Sequence, residues 1–179
     1  MKRTIIIATA VSMILIGGTA WGSYKINKTY PQRVETTAEK GNSLEFQDGV
    51  QISVKDSRML PEEERKQVNQ KAEAYAEYSD QIMEVTVQLD NQTEETKEVS
   101  LENVYLETAG MANGTSSFYN EAAGYGALNQ SLEPGESKEV TYIYNLSKEW
   151  FQKREWKKID SRQFWLTFSS YPEMTVLYL

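Results

Sequence analysis

The side chains best suited to binding chemistry lie in one basic and aromatic segment, residues 148–158. Exposed lysine and arginine side chains attract anionic ligands, and tryptophan supplies a large contact area in binding sites. The segment predicts a surface that binds an anionic polymer of a cell envelope, a lipid headgroup or an acidic partner. The candidate binding residues are Trp150, Phe151, Lys153, Arg154, Trp156, Lys157 and Lys158.

A second interpretation of this segment assigns its aromatic residues to packing. Trp150, Phe151 and Trp156 would then cap a hydrophobic core at an edge connection, while the lysines stay in water. Aromatic side chains contribute much of the buried apolar area of most cores. We therefore favour core capping, and keep the binding surface as the functional alternative.

Acidic residues are the next candidates, because Ca²⁺ is bound by several carboxylate and carbonyl oxygens. Their spacing does not match an EF-hand loop, and a solvated acidic face accounts for them. We predict no metal site. The acids considered are Glu62, Glu63, Glu64, Asp80, Asp90, Glu94 and Glu95.

The composition excludes several catalytic chemistries. The chain has no cysteine and no histidine, which rules out thiol catalysis, cysteine-type zinc sites and the most common general base. We predict that the protein is not an enzyme and uses no cofactor. A hydrolase that works through carboxylates alone is the enzymatic alternative. The net charge of −7 argues against nucleic acid as a partner.

The domain that must position these residues follows an apolar N-terminal segment. After Lys2 and Arg3 there is no charged residue until Lys25, and a helix of this length spans about 30 Å, the hydrocarbon thickness of a bilayer. Residues 1–24 are predicted to be a signal-anchor, a single-pass transmembrane helix with the remaining chain outside the cell membrane. A cleaved secretory signal is the alternative, since Ala20-Trp21-Gly22 offers small residues before a cleavage point.

Two further regions follow this segment. Residues 25–43 are polar, contain Pro31 and Gly41 and show no periodic apolar face, which predicts a linker. Residues 44–179 are predicted to form one domain, because apolar and polar residues alternate from Leu44 onward. An exported chain without disulfides indicates a bacterial cell envelope.

Strand signals recur along the domain with turn residues between them. Asp48-Gly49 predicts a hairpin turn, and residues 83–89 alternate as a half-buried strand does. The apolar phase slips after Leu101, which predicts a β-bulge. Phe118-Tyr119 predicts the start of another short strand.

One segment has a helical pattern instead. Pro61 followed by three glutamates is typical of a helix start, and residues 62–78 are rich in good helix formers. A thin apolar stripe consists of Val68, Ala72, Tyr75 and Ala76. We predict one short helix inserted between strands.

Two stretches carry a resemblance to a known family. "EVTVQLDNQTEETKEVSLENVYL" is an alternating strand that ends in an asparagine turn, and "GYGALNQSLEPGESKEVTYIYNL" places Leu-x-Pro-Gly-Glu-Ser before another alternating strand. Together they resemble the telokin-like, immunoglobulin-fold extracellular domains of unknown function found on Gram-positive lipoproteins and membrane-anchored proteins. The resemblance covers roughly residues 41–179. It implies no catalytic residues.

The predicted fold class is mainly β: an immunoglobulin-like antiparallel β-sandwich with one short inserted helix, preceded by an N-terminal transmembrane helix. The predicted function is non-enzymatic binding or scaffolding by a membrane-tethered extracytoplasmic domain. Its partners would be the membrane, through the N-terminal helix, and a protein or cell-wall component. The alternatives are the carboxylate-dependent envelope hydrolase and a purely structural spacer.

Overall fold

A computed structural model describes residues 2–72, 79–170 and 172–179 of the chain. The chain divides into two compact units, of which the first ends at Val34 and the second comprises Glu35–Leu179. The basic and aromatic segment belongs to the second unit.

The first unit contains one long helix, α1 (Lys2–Thr29). Within the described residues, no helix has both the length and the apolar character needed to cross a membrane. The structure thus supports a helix over residues 2–24 of the predicted segment 1–24, but not its assignment as a membrane span.

The second unit is built from short strands joined by tight turns and short helices. Every strand pair whose register is described is antiparallel. The strands are β1 (Val34–Ala38), β2 (Ser43–Gln47), β3 (Val50–Met59), β4 (Gln81–Asn91), β5 (Lys97–Ser100), β6 (Tyr105–Thr108), β7 (Met111–Asn113), β8 (Asn129–Leu132), β9 (Ser137–Leu146), β10 (Trp165–Ser169) and β11 (Glu173–Tyr178). The helices are α2 (Glu62–Ala72), α3 (Ser117–Ala123) and α4 (Lys153–Trp156), with 3-10 helices at Leu101–Asn103, Lys148–Trp150 and Ile159–Ser161.

The described strands form two main sheets and a small one. The first sheet has five strands in the order β1-β11-β10-β6-β7, and the second has four in the order β2-β3-β4-β9. Strands β5 and β8 pair separately. Side chains from the two main sheets share one apolar core, so the domain is a mainly β sandwich, as predicted.

The core is made by side chains that alternate along the strands. Val85, Val87 and Leu89 on β4 are fully buried, and so are Tyr142 and Tyr144 on the neighbouring strand β9. Successive side chains of a strand point to opposite faces. The polar residues between these positions therefore face away from the core.

The hairpin between β2 and β3 has the turn that its sequence predicts. Asp48 and Gly49 both have positive φ angles, 40° and 86°, as the favoured two-residue hairpin loops require. A side chain at Gly49 would also collide with its surroundings, because its Cβ would lie 2.5 Å from Cγ2 of Thr93. Glycine is thus needed here for two reasons.

Helices α2 and α3 pack on the outer face of the four-stranded sheet. Ile143 lies between Tyr142 and Tyr144 along β9, so its side chain points away from the main core. It belongs to a second apolar cluster that the two helices cover. The cluster consists of Leu60, Val68, Ala72, Ile82, Tyr119, Ala123 and Ile143.

The predicted inserted helix is confirmed over Glu62–Ala72. Val68 and Ala72 of its predicted stripe are buried. Tyr75 and Ala76 lie outside the described residues.

The bulge predicted after Leu101 is wrong. The chain instead forms the 3-10 helix Leu101–Asn103, whose start is capped by the Ser100 hydroxyl accepting a hydrogen bond from the backbone N–H of Glu102 at 3.3 Å. Strands β5 and β6 then enter different sheets. The slip in apolar phase marks this change of sheet.

The strand predicted at Phe118-Tyr119 is also wrong, because these residues lie in α3. The Ser116 hydroxyl accepts a hydrogen bond from the backbone N–H of Tyr119 at 3.2 Å, and Gly124 ends the helix with a φ of 87°. Serine before a helix and glycine after it are common end signals. The domain therefore contains α3 and α4 in addition to the single helix predicted.

The region predicted as a linker, residues 25–43, contains the end of α1 and the strand β1. Four of the five β1 residues are exposed, including Val34 at 60 %. A strand with so little buried surface does not need an apolar alternation. The residues of β1 therefore show no alternating pattern from which a strand could be predicted.

The two stretches that carry the family resemblance are joined by one buried side chain. Asn91, at the end of β4, is 2 % exposed. Its Nδ2 donates to the carbonyl oxygens of Glu95, Leu132 and Glu133 at 2.8, 3.1 and 3.0 Å. Its Oδ1 accepts from the backbone N–H of Thr93 at 3.0 Å. The asparagine turn and the Leu-x-Pro-Gly-Glu-Ser turn are thus one hydrogen-bonded unit.

Strand β9 lies at an edge of the four-stranded sheet. Side chains form hydrogen bonds with backbone groups on its unpaired side. Asn120 is fully buried and its Oδ1 accepts a hydrogen bond from the backbone N–H of Ile143 at 2.9 Å. The Nδ2 atom of Asn113 donates to the carbonyl oxygen of Asn145 at 2.7 Å. Two polar groups of the edge are thereby satisfied without another strand.

Candidate functional site

The basic and aromatic segment follows β9 and is held at its start by polar contacts. The Ser147 hydroxyl accepts a hydrogen bond from the backbone N–H of Glu149 at 3.3 Å. Asp80 accepts from the backbone N–H and the Nζ of Lys148 at 2.9 and 2.8 Å. Partial burial acts to raise the pKa of Asp80, but the hydrogen bonds from Lys148 outweigh it, so this pKa lies below its ordinary value.

The three aromatic residues of the segment take two different positions. The ring centres of Phe151 and Trp156 are 5.6 Å apart, and both half-buried rings pack against the main core. The side chain of Trp150 is 43 % exposed. Core capping therefore describes Phe151 and Trp156, whereas Trp150 is open to contact with a ligand.

Arg162 was not among the predicted site residues. Its side chain holds the segment against the rest of the domain. Its side chain is 13 % exposed and pairs with the Glu155 carboxylate at 2.9 Å. It also donates to the Thr108 hydroxyl at 3.1 Å and to the Ala109 carbonyl at 2.5 Å. The guanidinium lies over the Phe151 ring, 5.4 Å from its centre. Thr108 is 54 positions away along the chain, so no local spacing could have indicated this contact.

A cleft of about 380 Å³ opens beside Trp150. Phe151, Arg154 and Arg162 also line it. The Arg154 side chain is 80 % exposed, and its Nε lies 3.2 Å from the carboxylate of Glu155. The cleft thus combines an exposed indole ring with an arginine that reaches into solvent.

The remaining predicted residues are cations on the same segment. Lys153, Lys157 and Lys158 are exposed. In the part of the chain that the structure describes, none of them lies within 4.0 Å of a carboxylate. Their charges are therefore free to act on a ligand that approaches the segment.

The acidic residues considered for calcium are dispersed. Glu62 pairs with Lys66 at 2.7 Å, and Asp80 pairs with Lys148 at 2.8 Å. Across residues 2–72, 79–170 and 172–179, no group of three or more acidic side chains is arranged as metal ligands would be.

Comparison with known proteins places the chain in a family. Residues 28–175 match the family described as a domain of unknown function, DUF5028. The chain belongs to the DUF5028 family. No curated protein matches the chain. Membership in a domain family of unknown function agrees with the resemblance seen in the sequence, while the narrower telokin-like relationship stays a prediction.

Solved structures similar to this DUF5028 chain include two bacterial proteins of low sequence identity, one described as secreted and one as a candidate lipoprotein. The secreted protein MPT63 of Mycobacterium tuberculosis is 12% identical with a TM-score of 0.50, and the match covers 81% of this chain and 98% of that chain. The ycdA protein of Bacillus subtilis, named as a candidate lipoprotein, is 14% identical with a TM-score of 0.50. That match covers 79% of this chain and 38% of ycdA.

An uncharacterized β-sandwich protein of Clostridium difficile 630 is also similar. It is 13% identical with a TM-score of 0.47, and the match covers 83% of this chain and 96% of that chain. At the identities found for MPT63 and ycdA, the likeness concerns the fold. The mainly β sandwich is thus common to this chain and to those two proteins.

Proposed function

We propose that this protein is a non-enzymatic binding module that contacts an anionic component of the cell envelope through residues 148–158. The observation that supports it best is the 43 % exposure of Trp150 at the edge of a cleft lined by Arg154 and Arg162. Tryptophan and arginine are the residue types most enriched at the energetic centres of binding surfaces. A ring used only for packing would be expected to be less exposed and to pack against the core, as Phe151 and Trp156 do.

The charge of the segment favours an anionic ligand. Lys153, Lys157 and Lys158 are exposed and lie beyond ion-pair distance of the described carboxylates. Such charges act over a Debye length of about 8 Å at physiological ionic strength. They would steer an anionic polymer toward the cleft while Trp150 and Arg154 contact it.

No specific observation favours the hydrolase. The carboxylates of Glu64 and Glu84 both accept hydrogen bonds from Arg58, at 2.8 and 2.7 Å. The Tyr125 hydroxyl donates a further hydrogen bond to Glu84 at 2.8 Å. Arg58 thus ties both carboxylates into a structural ion-pair network that joins β3, α2 and β4. A structural spacer would leave the exposure of Trp150 without a role.

The cellular setting is also a proposal. We propose that residues 1–24 bring the domain to the membrane and that the domain, a telokin-like immunoglobulin-type sandwich, acts outside the cytoplasm. Its support is the uncharged stretch from Thr4 to Tyr24 and the similarity to a secreted protein and a candidate lipoprotein. The mass of the mature chain distinguishes an anchor from a cleaved signal. A chain that starts near Trp21 or Ser23 would contradict the anchor.

The binding proposal is tested with polyphosphate as a simple anionic polymer. The full chain should bind it in a salt-dependent manner, and the variant K157E/K158E should bind at least about tenfold more weakly. The matched control is K55E/K71E, which changes the net charge equally at two exposed lysines outside the segment. Trp150→Ala should weaken binding as well.

Two outcomes would contradict the proposal. One is equal loss of polyphosphate binding in K157E/K158E and in K55E/K71E, since net charge alone would then explain the affinity. The other is the absence of polyphosphate binding by the unmodified chain at low salt.

A further inference from the structure

A second groove, separate from the cleft at Trp150, lies on the outer face of the five-stranded sheet. It has a volume of about 380 Å³, and its lining includes Asn103, Tyr105, Glu107, Thr167 and Ser170. None of these residues contributes to the cleft beside Trp150. The two sites can therefore be tested independently.

Strand register places the groove's side chains on one face. Tyr105 pairs with Thr167, and Glu107 pairs with Trp165, across the β6–β10 ladder. Leu106, which lies between Tyr105 and Glu107, is fully buried in the main core. Because side chains alternate along a strand, Tyr105 and Glu107 point outward together.

The polar groups of the groove are oriented and have unused bonding capacity. Trp165 donates from Nε1 to Oε2 of Glu107 at 3.2 Å. The other carboxylate oxygen of Glu107 accepts no hydrogen bond from the described residues. Thr167 is 3 % exposed, and its hydroxyl has no hydrogen-bond partner among them either. A buried polar group without a partner is unusual in folded proteins.

The groove also offers an aromatic surface. The Tyr105 side chain is 45 % exposed at the start of β6, where it pairs with Thr167 of β10. A flat ring beside hydrogen-bonding groups is the common composition of small-molecule sites. Among the described residues that line the groove, Glu107 alone carries a charge. Its carboxylate repels anions and accepts hydrogen bonds strongly from hydroxyl donors.

We propose that this groove binds a neutral saccharide ring. The apolar C–H face of the sugar would stack on Tyr105, and its hydroxyls would donate to Glu107 and exchange hydrogen bonds with Thr167 and the Asn103 amide. A sugar presents an apolar face and several hydroxyls within one ring, so it uses all of these groups. An organic cation would use Tyr105 and Glu107 only.

Calorimetric titration of the full chain tests the proposal with two probes. The first is chitotetraose, a neutral oligosaccharide, and the second is tetramethylammonium, a cation without hydroxyl groups. We expect saturable binding of chitotetraose, and no binding of tetramethylammonium at the same concentrations. Binding of tetramethylammonium in preference to the sugar, or no binding of chitotetraose, would overturn the proposal.

Variants identify the site and separate contact from folding. Tyr105→Ala should lower the affinity for chitotetraose about tenfold, whereas Tyr105→Phe keeps the ring and should stay within about twofold. Thr167→Val should lower affinity about three- to tenfold without lowering the thermal stability of the free protein, because the hydroxyl that it removes has no partner. Unchanged sugar affinity in both Tyr105→Ala and Thr167→Val would place the sugar elsewhere and overturn the proposal.

Discussion

The guanidinium of Arg162 lies 5.4 Å from the centre of the Phe151 ring, and this contact ties the basic and aromatic segment to the body of the domain. The same guanidinium reaches the side chain of Thr108 and the backbone of Ala109, next to the turn between β6 and β7. A cation over an aromatic face is attracted by the ring quadrupole. Arg162 thus fixes the position of the residues that carry Trp150.

Replacing Arg162 should destabilise the protein. Arg162→Lys removes the planar fork that serves Glu155, Thr108 and the Ala109 carbonyl at once, and a lysine cannot replace it. We expect the free energy of unfolding to fall by about 2 kcal/mol, measured by urea denaturation. Arg154→Lys is the control, because Arg154 contacts the same Glu155 but is 80 % exposed, and it should cost under about 0.5 kcal/mol. Equal effects of the two substitutions would contradict the role assigned to Arg162.

Asn91 should be among the residues most sensitive to substitution. Asn91→Asp keeps the shape but loses the Nδ2 donor, which would leave a carboxylate facing the carbonyl oxygens of Glu95, Leu132 and Glu133. We expect a loss of about 3 kcal/mol in the free energy of unfolding. Asn42→Asp is the comparison, since Asn42 is exposed and should tolerate the change. A stable Asn91→Asp protein would show that the two turns do not depend on this side chain.

Loss of the hydroxyl should affect stability differently at the two neighbouring core tyrosines Tyr142 and Tyr144. The Tyr144 hydroxyl donates to the Val104 carbonyl at 2.8 Å, so Tyr144→Phe should lower the free energy of unfolding by about 1 kcal/mol. The Tyr142 hydroxyl is buried and has no partner among the described residues, so Tyr142→Phe should leave stability unchanged or raise it. Thermal denaturation of both variants measures this order, and the reverse order would refute it.

Asp80 should make stability depend on acid pH. Its folded-state pKa lies below the ordinary value of 3.8, so its contribution is fully present above pH 3.8 and is lost as the pH falls through the lower, folded-state pKa. Asp80→Asn should therefore cost about 1 kcal/mol at neutral pH, and this difference from the unmodified protein should shrink in strong acid. Asp160→Asn, at an exposed position, is the control for the loss of one surface carboxylate. A pH-independent cost of Asp80→Asn would argue against the ion pair with Lys148.

The predictable parts of the fold are the strands that have one buried face and one solvent-exposed face. Val85, Val87 and Leu89 alternate with polar residues in the sequence and are buried in the structure, because a half-buried strand must show this period. β1 has almost no buried side chains and left no pattern. Around Leu101 the change of sheet produces the same sequence pattern as a bulge, because both shift the apolar alternation by one position.

The site was only partly predictable for a related reason. The composition of residues 148–158 shows that cations and aromatic rings are concentrated there, but not which rings are buried. Which ring is buried depends on tertiary contacts. Arg162 packs on the Phe151 ring and is itself bonded to Thr108, which is distant in the sequence. Trp150 and Phe151 are neighbours in sequence, yet tertiary contacts alone decide which of them faces solvent.

The side-chain caps on β9 have a consequence for how this protein behaves at high local concentration. An uncovered edge strand is a template on which a second chain can add its own strand. Asn120 occupies the backbone N–H of Ile143, and Asn113 occupies the carbonyl of Asn145, so an incoming strand would have to displace both side chains first. The two asparagines therefore protect this part of β9 against edge-to-edge aggregation.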